Sequence, residues 1–185
     1  MDITHAQLRR AGVAVSDPAQ FNEIGYMCRL CDSAGFSIEL LQHSFLGNRD
    51  NGDGDPSKPL GGGARIGQIT LRVSDLSGAL SFYRDRLGMK LLSIQAVREF
   101  GFVLYFLAFT DESPPNADLD AVENREWLWR RPYTTLELQY FPDRSSAFEL
   151  PREGNPGFDG LIVFRGSRSS ACLQDEAGGA VYLTR

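Results

Sequence analysis

"IGQITLRVSDLSGALSFYRDRLGM", residues 66–89, carries the reading that decides the fold. Its first ten residues alternate as a strand does, with Gln68, Thr70 and Arg72 on one side and Ile69, Leu71 and Val73 on the other. The rest reads as a helix with Leu76, Ala79, Leu80, Tyr83 and Leu87 on one face. Gly88 is its stop signal. A strand that presents Gln, Thr and Arg together, followed at once by an amphipathic helix, asks what the polar side lines.

Reading outward from the C-terminal side, "MKLLSIQAV" and "FGFVLYFLAFT" predict two further strands, the second nearly all apolar. "ADLDAVENREWLWRRP" predicts a polar loop with a short helix ended by Pro132, and "YTTLELQYF" a fourth strand. Residues 64–150 thus form one complete βαβββ unit with an excursion before its last strand. On the N-terminal side, "GNRDNGDGDPSKPLGGG" (residues 47–63) is rich in Gly, Asp and Pro and is expected to be a flexible linker. Its "DNGDGD" has no closing glutamate and no flanking helices, which excludes an EF-hand loop.

The two ends look like pieces of the same unit. Residues 1–46 predict a helix ended by Gly12, then strands in "VAVS", "IGYMCRLCDSAG" and "FSIELLQ". Residues 151–185 predict a strand in "FDGLIVFRG", a short helix in "SRSSACLQDEAGG" and a last strand in "AVYLTR". An isolated half-sheet leaves its edges unpaired. The economical solution pairs residues 161–164 with the N-terminal strands, as in a circular permutation. The alternative closes the sheets with a partner chain, so monomer and homodimer both stay open.

Composition narrows the function. The chain has 185 residues, 42% hydrophobic and 23% charged, with a net charge of −5. That is ordinary for a globular protein and argues against a nucleic-acid or anionic-membrane partner. No apolar run reaches the length of a bilayer span, and "MDITHAQLRRAG" has no secretory h-region, so a soluble, cytoplasmic protein is expected. Cys28, Cys31 and Cys172 fit a reducing compartment. "CRLC" lies in a strand-like context that sends Cys28 and Cys31 to opposite faces, against a redox or zinc role. No G-x-S-x-G is present, and "LGGGARIG" runs into a strand rather than a helix, so nucleophilic hydrolysis and phosphate cradling are unsupported. Trp127 and Trp129 with Arg125, Arg130 and Arg131 read as core packing with a solvated face.

The ordered series "GQITLRVSDLSGALSFYRDRLGMKLL", "FVLYFLAF" and "TTLELQYF" resembles the first module of glyoxalase I, of the vicinal-oxygen-chelate superfamily. "AQLRRAGVAV" and "MCRLCDSAGFSIELLQ" look like the latter part of that family's second module, and "GFDGLIVF" with "SSACLQDEAGGAVYL" like its beginning. The resemblance implies an α+β fold in which paired βαβββ modules form an open, curved eight-stranded sheet around a divalent metal, Zn²⁺ or else Ni²⁺ or Co²⁺. It implies a lyase that isomerises the hemithioacetal of methylglyoxal and glutathione to S-lactoylglutathione through an enediolate.

Residue by residue, Gln68 and Glu137 match the two metal ligands of the first module. An amide oxygen and a carboxylate are hard ligands suited to a divalent ion. Glu39 matches the second module's last-strand glutamate, at once a metal ligand and the catalytic base. Arg72 matches the arginine that binds a glutathione carboxylate, a task that suits a guanidinium fork. Phe102, Leu104 and Phe106 match the apolar wall of the substrate pocket. The chain departs from the pattern at the fourth ligand: the family's histidine position falls on Gly160. Asp159 is adjacent but would face the other way, and the histidines of the chain are His5 and His43. Phe141 and Pro156 replace two residues that help hold glutathione. These departures support the alternative of a non-catalytic or divergent member that binds a small ligand in the same cleft. Dioxygenation fits poorly, because these positions do not supply two histidines and a carboxylate.

Overall fold

A computed structural model describes residues 1–22, 25–43, 54–144, 160–164, 171–174 and 180–184. The chain divides into two compact units. One comprises Met1–Gly67 with Ala121–Pro132, the other Gln68–Asp120 with Tyr133–Arg185.

In the first unit, α1 (Asp2–Arg10) has an acidic first turn and two arginines in its last, both favourable to the helix dipole. Gly12, at φ +77°, turns the chain out of the helix. The strands β1 (Ala19–Phe21), β2 (Gly25–Cys31) and β3 (Ser37–Leu41) form an antiparallel meander in that order. The strand expected over residues 13–16 shrinks to a single bridge, Val15 to Leu30. Cys28 is buried and Cys31 exposed, as the alternation of β2 requires. Both are free thiols.

Residues 54–62 differ from the flexible tether expected there. They fold into turns and a short 3₁₀ segment, Pro59–Gly61, fastened to α1. Gln7 Nε2 donates to the carbonyls of Pro56 and Lys58, its Oε1 accepts from Gly61 N–H, and the Thr4 hydroxyl donates to Leu60 O. Backbone groups without side chains to bury are here satisfied by two polar residues of the helix. Residues 47–53 of that expected linker lie outside the described residues.

The same unit holds α3 (Val122–Trp129), the short helix expected before Pro132. It buries Asn124 and Leu128, and Arg131 stacks over the Trp127 ring at 4.6 Å.

The second unit is built on the βαβββ order. Its strands are β4 (Gln68–Val73), β5 (Lys90–Val97), β6 (Phe102–Ala108) and β7 (Thr135–Tyr140). They form an open sheet in the order β4-β7-β6-β5. Only β4 and β7 run parallel; the other two pairings are antiparallel. The α+β class is therefore as expected. The helix α2 (Leu76–Leu80) starts at Asp75, whose carboxylate accepts from Gly78 N–H at 3.0 Å. It continues over Ser81–Arg86 as a π-helix, with Leu87 N–H donating to Phe82 O at 2.9 Å. The wider turn lets neighbouring Phe82 and Tyr83 both be buried, ring edge to ring face, at 5.0 Å.

One face of the sheet packs on this helix. Val73, Leu107, Leu136 and Leu138 join Ala79, Phe82, Tyr83 and Leu87 in one core. Each fully buried large side chain there contributes about 1.5–3 kcal/mol.

The C-terminal part of this unit forms a three-stranded sheet, ordered β8-β10-β9. Its strands are β8 (Gly160–Phe164), β9 (Ala171–Gln174) and β10 (Ala180–Thr184). One expectation is corrected here, and a second finds no support. The helix expected across residues 167–179 contains the strand β9, held antiparallel to β10 from Ala180↔Gln174 to Leu183↔Ala171. Ladder pairing outweighs local helix propensity in so short a segment. Residues 161–164 were to lie beside the N-terminal strands, but β8 pairs with β10, in parallel from Ala180↔Gly160 to Thr184↔Phe164. Pairing two segments close in sequence closes a shorter loop than joining the chain ends. No pairing of β8 with β1, β2 or β3 is found among the described residues, so the permuted assembly gains no support.

Candidate functional site

The polar side of β4 becomes a site because β7 lies beside it in parallel. The register sets Gln68 opposite Thr135, Thr70 opposite Glu137 and Arg72 opposite Gln139. Cross-strand partners point to the same face, so two polar rows stand together on the side away from α2. Gln68 and Glu137, 69 residues apart in sequence, meet there: Gln68 Nε2 donates to Glu137 Oε2 at 2.7 Å. The same amide also lies 3.3 Å from the Thr70 hydroxyl. Glu137 is only 6% exposed.

The other atom of the Gln68 amide is the informative one. Its Oε1 is buried and has no hydrogen-bond partner. A buried acceptor left unmade costs about 1–3 kcal/mol. Such an oxygen, held beside a buried carboxylate, fits a divalent cation with hard-ligand preference. The donor set therefore suits the metal that the sequence implies, as far as two ligands go. Among the described residues no group of three or more His, Cys, Asp or Glu gathers around one point.

Arg72 lies on the same face, one row further along. It is exposed, and its Nε donates to Gln139 Oε1 at 3.0 Å, which orients the guanidinium. On β6, Phe106 stands opposite Glu137 and Leu104 opposite Gln139. Both are buried, yet neither belongs to the helix-side core. Phe102 follows on this face, stacked near Phe100 and tilted against Phe141 at 5.4 Å between ring centres. The three expected wall residues thus share a face with Gln68 and Glu137.

Other expected participants lie on other elements. Glu39 belongs to the N-terminal unit, where it is exposed, faces Arg29 across the β2–β3 ladder and pairs with it at 2.7 Å. His5 sits on α1 with its Nε2 3.5 Å from Asp17, and His43 is exposed just past β3. Gly160 opens β8. The next residues of that strand, Leu161 and Val163, pack against the helix-side core and not the face that carries Glu137. Asp159 and Pro156 lie outside the described residues.

Four polar residues of this face were not singled out from the sequence, and one is Thr135, buried opposite Gln68. Gln139 is the partner of Arg72. Ser93 and Gln95 on β5 are both fully buried, opposite Phe106 and Leu104. The Ser93 hydroxyl donates to Leu119 O at 3.2 Å. Their signal was present in "LLSIQAV", where polar residues recur at every second position of an otherwise apolar strand.

Residues 65–158 match the family model described as Glyoxalase/Bleomycin resistance protein/Dioxygenase superfamily. No curated protein matches the chain. Among solved structures, the glyoxalase I of Zea mays is similar at a TM-score of 0.59 and 19% identity, over 97% of this chain and 61% of that one. A single-substitution variant of the same maize enzyme gives a TM-score of 0.61 and 20% identity, with the same coverage. The chain thus spans about three-fifths of the length of these structures, and at this identity the likeness is one of fold.

Proposed function

The chain belongs to the Glyoxalase/Bleomycin resistance protein/Dioxygenase superfamily, and from that premise we propose that it acts as a glyoxalase I-like, metal-dependent lyase. The substrate is the hemithioacetal of methylglyoxal and glutathione, and the product S-lactoylglutathione. One observation carries the reading: the Gln68–Glu137 pair, in which Glu137 is buried and Gln68 Oε1 is left without a partner.

Gln68 through Oε1 and Glu137 through its carboxylate would hold the ion, with Zn²⁺ first and Ni²⁺ or Co²⁺ as the alternatives. When bound, a divalent cation supplies Lewis-acid polarisation of the substrate's vicinal oxygens. Glu39 is the proposed base, removing a proton from one carbon and returning it to its neighbour. Its carboxylate has one oxygen on Arg29, leaving the second for that work. Arg72, oriented by Gln139, presents its outer nitrogens to a glutathione carboxylate. Phe102, Leu104 and Phe106 keep water from the reacting carbons.

A second reading is a divergent member that binds a small ligand in the same cleft without turning it over. The placement of Leu161 and Val163 favours it, because the strand that opens at Gly160 packs against the helix-side core.

The two readings separate in one experiment. Purified protein is titrated with Zn²⁺, Ni²⁺ and Co²⁺ by calorimetry and assayed with methylglyoxal and glutathione. The lyase reading expects metal binding and turnover, both lost in Glu137→Ala. Metal binding without turnover would support the second reading. Turnover that survives Glu137→Ala would remove the site from β4 and β7.

A further inference from the structure

Gln95 is the most unusual side chain on the polar face. It is fully buried, and neither its Oε1 nor its Nε2 has a hydrogen-bond partner. A buried primary amide with both atoms unmade is a rare feature, and it calls for a partner outside the protein's own hydrogen bonds. The register fixes where it stands. Gln95 is opposite Leu104, Leu104 opposite Gln139, and Gln139 opposite Arg72. These four form one row across the sheet, next to the row of Ser93, Phe106, Glu137 and Thr70. Two strand spacings, about 10 Å, separate β5 from β7. A small molecule that reaches from Glu137 along the wall of Leu104 and Phe106 ends at Gln95. Ser93, its neighbour on this face, already has its partner in Leu119 O.

We propose that Gln95 determines specificity: its amide hydrogen-bonds a polar group on the substituent carried by the thiol adduct, so the site selects hydroxyl- or carbonyl-bearing 2-oxoaldehydes over alkyl or aryl ones. The inference rests on the glyoxalase-like reading and refines its substrate: methylglyoxal, an alkyl 2-oxoaldehyde, is the poorer substrate and a hydroxyl- or carbonyl-bearing homologue the better one. A wall made only of Phe102, Leu104 and Phe106 selects by size and apolarity. One amide in that wall changes the selection, because a ligand without a hydrogen-bonding group leaves both amide atoms unmade.

The test uses two isosteric probes, S-(2-hydroxyethyl)glutathione and S-propylglutathione, which differ by a hydroxyl for a methyl. Their affinities are measured by calorimetry for the intact chain and for Gln95→Met, which keeps the side chain's length and removes both polar atoms. Thermal unfolding of both proteins is recorded without ligand. The expected result is a preference of about tenfold for the hydroxyethyl conjugate, the worth of one hydrogen bond. In Gln95→Met the preference disappears or reverses, while the midpoint of unfolding holds or rises.

Equal affinity of the intact chain for the two probes overturns the role of Gln95 and leaves the glyoxalase-like reading standing. A fall in the unfolding midpoint of Gln95→Met, or its failure to fold, shows that the amide serves the fold, and overturns the proposal as well. If the intact chain binds neither probe, the glutathione reading fails and takes this inference with it.

Discussion

Replacing Gln68 by glutamate turns the reading of this pair into a signed, measurable quantity. Gln68→Glu sets a second carboxylate where an amide now stands 2.7 Å from Glu137 Oε2. Two full charges at that distance repel by about 6 kcal/mol at an effective dielectric constant of 20. The pair avoids most of this by keeping one proton. Holding a proton at pH 7 on a carboxyl that ordinarily titrates near 4.3 costs about 4 kcal/mol, so this smaller figure sets the expected loss of stability. The sign follows from linkage. The shared proton raises a carboxyl affinity in the folded state alone, so the folded variant binds more protons than the unfolded chain. The loss is therefore near zero below about pH 4 and grows as pH rises toward 7. A divalent cation reverses it, because two carboxylates facing one ion are a better donor set than a carboxylate and an amide. At a free Zn²⁺ concentration 100 times its dissociation constant, binding returns about 2.7 kcal/mol. The assay is urea denaturation of both proteins at pH 5 and pH 7.5, with and without Zn²⁺. A variant as stable as the parent at pH 7.5, or one that Zn²⁺ does not rescue, would refute the claim that these side chains share a cation-binding point.

The remaining predictions test the frame around the site. Leu138→Ala removes a fully buried side chain from the helix-side core and is expected to cost about 2–5 kcal/mol, read as a lower urea midpoint. Gln7→Ala removes the three hydrogen bonds that hold residues 56–61 to α1; amide exchange at Gly61 should quicken while global stability drops by about 1–2 kcal/mol. Burial pushes the Cys28 thiol up from its ordinary value, so less of it is thiolate at any given pH below that raised value. Exposed Cys31 should therefore be alkylated well before Cys28 at pH 8, as peptide mapping by mass spectrometry would show.

Much of the fold was legible because its signals are local and agree with one another. The alternation of β4, the apolar face of α2 and the stop at Gly88 all lie within residues 66–89. Each is fixed by nearest neighbours along the chain. The π segment was not legible, since Phe82 and Tyr83 read as one core residue and one bystander on an ideal helix. In the C-terminal part β8 and β10 were read as strands, but the segment of β9 was misread as helix, for a different reason. Whether residues 171–174 form helix or strand depends on the ladder with Ala180–Thr184. Which edge β8 joins is a choice between partners of similar pattern, settled by the loop each requires and not by composition.

The site divides along the same line. The alternation of β4 drew attention to Gln68 and Arg72, and the family resemblance supplied the roles expected of them and of Glu137. On β5 the cost of a buried polar group without a partner falls on Gln95. On β4 the polar side is partly exposed and could be dismissed as a solvated face. On β5 it cannot, because Ser93 and Gln95 are fully buried. A strand face that is closed to water has no solvent reason to carry polar residues. Its polar residues must answer to hydrogen bonds, and Ser93 has one while Gln95 has none. That contrast within one strand separates a polar residue that supports the fold from one that waits on a ligand. Sequence alone could show the alternation, but not that the Ser93 hydroxyl is made and the Gln95 amide is not.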